Sequence, residues 1–264
     1  MNIVVCIKQV PDTSEVKIDP VTNTLIREGV PSIVNPFDSY AIEEALRTKE
    51  KFGGKVVAIS MGPPQAKEAL KEALAMGADE AYLISDRAFA GSDTWATSYA
   101  LAQAIRTIGD VDLIFCGRQA IDGDTGQVGP GIAYRLGVTQ LTYVIKVREI
   151  DPANKRIVVE RLLEEGREVV SGTLPALVTV VKGINEPRYP TFLGIRRATR
   201  TEIPVWDANK VNAAENKIGL KGSPTQVWKI FNPPRRGGQV QLMPGSTDEA
   251  AAVLADKLLA EKVI

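Results

Sequence analysis

Short apolar runs separated by helical patterns constrain this chain more than anything else in it. Residues 3–7, 55–61, 80–84, 113–116 and 177–181 are rich in Val, Ile, Leu and Ala and too short for helices. Such runs read as strands buried on both faces. Helical spacing lies between the first four of them. Asn35-Pro36-Phe37-Asp38 leads into an amphipathic stretch with Asp38 or Ser39 as the expected cap. Residues 65–76 place Ala66, Ala69, Leu70, Ala73 and Leu74 on one face, and residues 94–108 predict a third helix. Strand and helix in alternation imply a mostly parallel, doubly wound α/β sheet covered on both faces.

In open sheets of this kind ligands sit at the C-terminal strand ends. The first strand, 3–7, carries Cys6 and runs into Lys8-Gln9-Val10-Pro11-Asp12, and the second ends at Met61. The run 113–116 is broken by Gly117 and followed by Arg118, Gln119, Ala120, Ile121, Asp122, Gly123, Asp124, Thr125, Gly126, Gln127 and Val128. Gly129-Pro130 closes this polar segment before helical spacing resumes at Ile132. Strand, small-residue loop and helix can present backbone N–H groups to a phosphate. No Walker-type Gly-Lys-Ser/Thr and no G-x-G-x-x-G follows the strand. Taken alone, the stretch reads equally as a glycine-rich connection with a capped helix. Asp122 and Asp124 have the same two readings, ligand acceptor or helix cap. Arg118 reads as phosphate contact or surface charge, and Lys8 as counter-charge or solvated lysine.

After about residue 137 the pattern changes. Residues 144–148, 156–161 and 167–171 are short and antiparallel in character, as is the hairpin expected from 16–19 and 24–27. Residues 1–183 therefore form the expected α/β domain. From 184 to 205 periodicity is lost, and Tyr189, Phe192, Leu193 and Ile195 stand among prolines as a surface loop that wants a partner. Residues 206–264 read as a proline-punctuated arm ending in one helix at 251–260, which cannot make its own core.

Composition narrows the chemistry. The chain has no histidine, which removes Ser-His-Asp catalysis and His-ligated metals. Its formal net charge is +0, which argues against nucleic-acid or membrane-surface binding through bulk charge. Cys6 and Cys116 lie within strand-like runs and read as small core residues facing a site. No export pattern or spanning run stands in the sequence, so a cytoplasmic protein without membrane insertion is expected.

Together these pieces resemble the beta subunit of electron transfer flavoprotein. The most specific match is Val159-x-Arg161-x-x-Glu164-Glu165-Gly166-x-Glu168-x-Val170, followed by Pro175-x-Leu177-Val178-Thr179-Val180. Asn35-Pro36-Phe37, 73–79, Gln119-Ala120-Ile121-Asp122 and 185–189 stand as that family has them. The resemblance implies the adenine-nucleotide-binding sheet shared with universal-stress proteins, with an antiparallel hairpin part and a C-terminal arm. It implies a heterodimer with an alpha subunit that carries one FAD. In this chain it implies a nucleotide site using Cys6, Asn35, Pro36, Phe37, Asp38, Met61 and Gly117 to Val128, with Phe37 also approaching the partner's flavin. The region around Phe192 and Leu193 corresponds to the family's recognition loop for an acyl-CoA-type or similar flavin dehydrogenase, and the arm to a clasp on the alpha subunit.

The family divides on what fills this site, structural AMP or a second FAD that takes hydride from NADH and bifurcates the electron pair. Gly123 and Gly126 in the loop, and no tyrosine in Val10-Pro11-Asp12-Thr13, resemble the FAD branch. Ferredoxin is then a candidate acceptor. The competing reading is a stand-alone nucleotide-binding regulatory protein on the same sheet.

Overall fold

The computed structural model describes residues 1–12, 17–18, 25–26, 31–228 and 240–263. In chain order the elements are β1 (Asn2–Cys6), β2 (Gln9–Pro11), β3 (Lys17–Ile18), β4 (Leu25–Ile26), β5 (Ser32–Val34) and α1 (Pro36–Phe52). Next come β6 (Lys55–Met61), α2 (Lys67–Met76), β7 (Glu80–Ile84), α3 (Thr94–Ile108), β8 (Leu113–Gly117) and α4 (Val128–Leu136). The second half adds β9 (Thr139–Asp151), β10 (Arg156–Leu163), β11 (Gly166–Thr173), β12 (Ala176–Val180), α5 (Phe192–Arg200), β13 (Val205–Trp206) and α6 (Thr247–Ala260).

One 9-stranded sheet runs β11-β10-β9-β12-β8-β1-β6-β7-β13. Every neighbouring pair from β9 to β13 is parallel, whereas β10 is antiparallel to both β9 and β11. The expected fold class is therefore present. Alternate strand residues feed two cores. Ile3, Val5, Ala58 and Phe115 pack with Ala41, Ile42, Leu70 and Leu74 of α1 and α2. Val4, Val57, Ile59 and Ile114 pack with Leu101, Ile105, Ile132 and Ala133 of α3 and α4. The chain leaves β1 for β6 and β7 on one side, and α3 then returns it to β8 on the other. This reversal opens a crevice between the ends of β1 and β8, the place where such sheets bind ligands.

Several boundaries differ from the sequence reading. Helix α1 starts at Pro36, with Asn35 at the cap position. The fixed φ of proline suits a first helical residue, so Asp38 lies inside the first turn and caps nothing. Gly129 and Pro130 do not close the loop but belong to the first turn of α4, where a missing N–H is tolerated. The expected surface loop at 192–195 is the start of helix α5, capped by Thr191, whose side chain accepts from Gly194 N–H. The expected hairpin leaves β3 paired antiparallel with β4, while Val16, Arg27 and the turn at 20–23 lie outside the described residues.

Contacts divide the chain into two compact units, Met1–Lys229 and Ile230–Ile264. Residues 206–228 pack within the first unit. Trp206 stacks on Tyr82 with centroids 4.2 Å apart, and Val211 and Ile218 are buried. In the second unit Ser246 and Glu249 form a capping box that starts α6. Among the described residues no helix is long and apolar enough to cross a membrane.

Candidate functional site: a crevice at the switch point

The floor is built from the ends of β1 and β8. Cys6 and Cys116 face each other in register, both buried and both free. The hydrogen bond to Cys6, with burial, pushes the Cys116 thiol up, so it stays neutral. Gly117 ends β8 where no side chain fits. A Cβ there would lie 2.3 Å from Asp38 Oδ1 and 2.7 Å from the Phe37 carbonyl carbon.

That close approach lets the first turn of α1 organise both strand ends. The N–H groups of Lys8 and Gly117 donate to the two oxygens of the buried Asp38 carboxyl, at 2.7 and 3.1 Å. Burial pushes the Asp38 pKa up to about 7, against the pull of its bonds to Asn35, Lys8 and Gly117. Asn35 holds the start of the following loop. Its Nδ2 donates to the Gln119 carbonyl at 2.8 Å, and its Oδ1 accepts from Ile121 N–H at 3.1 Å.

The loop 118–127 then turns toward α4. The amides of Gly123 and Asp124 both donate to the Ala120 carbonyl, at 3.3 and 2.8 Å. Asp124 and Gly126 take left-handed backbone, with φ of 52° and 62°. The two acidic side chains are used within the site. Asp122 pairs with Lys8 Nζ at 2.6 Å, and Asp124 accepts from Gln119 Nε2 at 2.7 Å. Neither caps α4. Gln127 occupies the cap position without a side-chain cap bond, and its Oε1 accepts from Thr94 Oγ1 at 2.9 Å. The backbone N–H groups of Thr125, Gly126, Gln127 and Val128 therefore meet no acceptor among the described residues.

Unpaired N–H groups at a helix N-terminus, with the positive end of its dipole, suit an anion such as phosphate. Space is present as well, because a Cβ added to Gly123 would meet nothing within 4 Å. Gly129 has the opposite role. A Cβ there would lie 2.7 Å from Thr179 Cγ2, so glycine lets α4 start hard against β12.

The structure thus brings Cys6, Asn35, Phe37, Asp38 and residues 117–128 to one crevice. Met61 lines a cleft with Lys8, Val10, Pro11 and Gln65 beside it. Arg118 lies against aromatic rings, its Cζ 5.3 Å from the Phe37 centroid and 5.5 Å from that of Tyr143. Thr94, Tyr143 and Thr179 were not among the expected site residues, and Thr179 stood only within the family signature. Thr94 shows only as a helix start, and nothing in the residues around Tyr143 signals its φ of 58°.

A second surface stands apart from the crevice. Tyr189, Phe192, Leu193 and Ile195 are 93%, 79%, 72% and 50% exposed. Their support is rigid. Arg197 donates to the Leu74 and Ala78 carbonyls at the end of α2, and Arg188 is clamped by the buried Glu43 at 2.7 Å. An apolar surface on so fixed a base suits protein contact.

Comparison with known proteins places the chain. The electron transfer flavoprotein domain family matches residues 22–211. A protein named electron transfer flavoprotein subunit beta, from Thermoanaerobacterium thermosaccharolyticum, is 53% identical over 266 residues, covering 100% of both chains. Subunit CarD of the caffeyl-CoA reductase-Etf complex of Acetobacterium woodii is 51% identical over 265 residues, again covering 100% of both. Protein FixA of Azotobacter vinelandii is 52% identical over 266 residues, covering 99% of this chain and 94% of the other.

Proposed function

This chain belongs to the electron transfer flavoprotein family, among its beta subunits, and from that premise we propose that it holds a nucleotide-bearing redox cofactor in the β1/β8 crevice. In this reading it pairs with an alpha subunit carrying a second FAD and passes electrons between NADH, an acyl-CoA-type dehydrogenase and further carriers. The observation that carries the site is the row of unpaired N–H groups from Thr125 to Val128 at the uncapped start of α4. These groups receive the phosphates, and Gly129 lets the helix start close to the sheet. Asn35 and Asp38 fix the loop and both strand ends, so the receiving groups are in place before the ligand arrives.

FAD is the favoured occupant, with hydride transfer from NADH and bifurcation of the electron pair as the proposed chemistry. The open space beside Gly123 supports an occupant larger than AMP. FAD, when bound, supplies hydride acceptance and one-electron chemistry, and the protein supplies position and electrostatics. That division suits a chain with no histidine. The exposed residues at the start of α5 dock the dehydrogenase. One relative is named as a subunit of a caffeyl-CoA reductase-Etf complex, which supports a partner of the CoA-ester dehydrogenase or reductase kind for this chain.

The test is cofactor content. The chain is co-expressed with its alpha subunit, the heterodimer is denatured, and FAD and AMP are counted. Two FAD and no AMP per heterodimer is the expected result. One FAD with one AMP refutes the bifurcating reading and leaves a structural nucleotide in the same crevice. No nucleotide beyond the alpha subunit's FAD refutes the site itself.

A further inference from the structure

Arg118 leaves β8 with its N–H bonded to the Val180 carbonyl at 2.9 Å. Its Nε donates to Gln119 Oε1 at 2.9 Å, and its two terminal nitrogens meet no acceptor among the described residues. The other cation at the crevice, Lys8, is already neutralised by Asp122 at 2.6 Å. Among the described residues the Arg118 guanidinium therefore has no ion-pair partner, and it lies against the rings of Phe37 and Tyr143.

Tyr143 is held there against its own preference. Its φ of 58° lies in left-handed territory that a bulky aromatic rarely enters. The N–H of Tyr143 donates to Thr179 Oγ1 at 3.2 Å, where the register of β9 on β12 slips between Val178 and Val180. The methyl group of the same Thr179 faces Gly129 in the first turn of α4. A bulge that re-aims a side chain, and a strained backbone beside a ligand site, are both features that a fold keeps for function.

We infer that Tyr143 is a positioning residue. Together with Phe37 it holds the Arg118 guanidinium ready for a phosphate group of the nucleotide bound at the start of α4. This rests on the nucleotide reading of the crevice and adds to it a side-chain cation and the residue that aims it. A guanidinium packed on rings has less rotamer freedom to lose when it binds, so the stacking raises affinity without touching the ligand.

The test uses the co-expressed heterodimer, stripped of exchangeable nucleotide and titrated separately with AMP and with FAD. Arg118→Gln should weaken binding of both about tenfold or more, the loss expected for one charge-assisted hydrogen bond. Tyr143→Phe keeps the ring and should bind as the wild type does. Tyr143→Asn removes the ring with a residue that tolerates left-handed backbone, so its unfolding midpoint should not fall while its affinity drops about three- to tenfold. In the Arg118→Gln background Tyr143→Asn should cause no further loss. Equal loss with and without Arg118, or wild-type affinity in Tyr143→Asn, overturns the inference. If the wild type takes up neither AMP nor FAD, the nucleotide reading fails first and this inference falls with it. If the wild type binds and every variant binds equally well, this inference alone is wrong.

Discussion

Asp38→Asn tests the way the crevice is built. Both carboxyl oxygens of Asp38 accept backbone N–H groups, one from Lys8 and one from Gly117. An asparagine keeps one acceptor and turns an NH2 toward the other N–H. That leaves a buried donor without an acceptor, at a cost of about 1–3 kcal/mol. The pH dependence is the sharper part. Burial raises the Asp38 pKa from 3.8 to about 7 in the folded state. Between those values the folded protein holds a proton that the unfolded chain has released, so stability from this group falls as pH rises through the window. A gap of ~3 pH units at about 1.4 kcal/mol each sets a ceiling of about 4 kcal/mol. Asparagine has no such slope. Urea unfolding of wild type and variant at pH 5, 6, 7 and 8 should therefore show the variant less stable at pH 5, with the gap closing or reversing by pH 8. Contributions from every other titrating group cancel in the comparison. A difference that stays constant across the range, or widens as pH rises, refutes the reasoning. It would mean that the two N–H donors and the nearby Lys8 ammonium outweigh burial and that Asp38 is ionised throughout.

The docking surface carries two further predictions. Phe192→Ala combined with Leu193→Ala should slow electron transfer to the partner dehydrogenase at least tenfold, on the order of the loss of two interface anchors, while counted cofactor stays unchanged; unchanged transfer would refute the role of this surface. Gly194→Ala acts from behind the same surface. Its Cβ would lie 2.1 Å from the Ala75 carbonyl oxygen, so α5 must move off α2. Transfer should fall here too with no change in the exposed side chains, and a variant as active as wild type would show that the seat of α5 does not matter.

The legible part of this fold was the local part. Alternation of apolar runs with helical spacing is a property of neighbouring residues, and it placed the parallel sheet, the three helices before β8 and the antiparallel hairpins. The helix at α5 was missed for a physical reason. Its apolar residues Phe192, Leu193 and Ile195 do share one face of the short helix, but that face is exposed and Pro187 and Pro190 stand just before it, so the stretch reads as a loop. The cap at Thr191, with the acceptor for Gly194 N–H, was the signal that remained.

The site is harder to read than the sheet because its geometry is made by residues far apart in the chain. Asn35 bonds to Gln119, Asp38 to Gly117, Thr94 to Gln127, and Tyr143 to Thr179. No periodicity encodes such pairs, and the two open readings of Asp122 and Asp124 show the consequence. As isolated acidic residues before a helix each was an equally good cap or ligand acceptor, and the structure makes them neither cap: one neutralises Lys8 and the other fixes Gln119. Removing those side chains as caps is what leaves the start of α4 unsatisfied. With the oxygens of both carboxylates taken by Lys8 and Gln119, the N–H groups at the start of α4 have no side-chain acceptor among the described residues. In the proposed reading phosphate takes those N–H groups, and the Lys8 ammonium offsets the charge of Asp122 beside it.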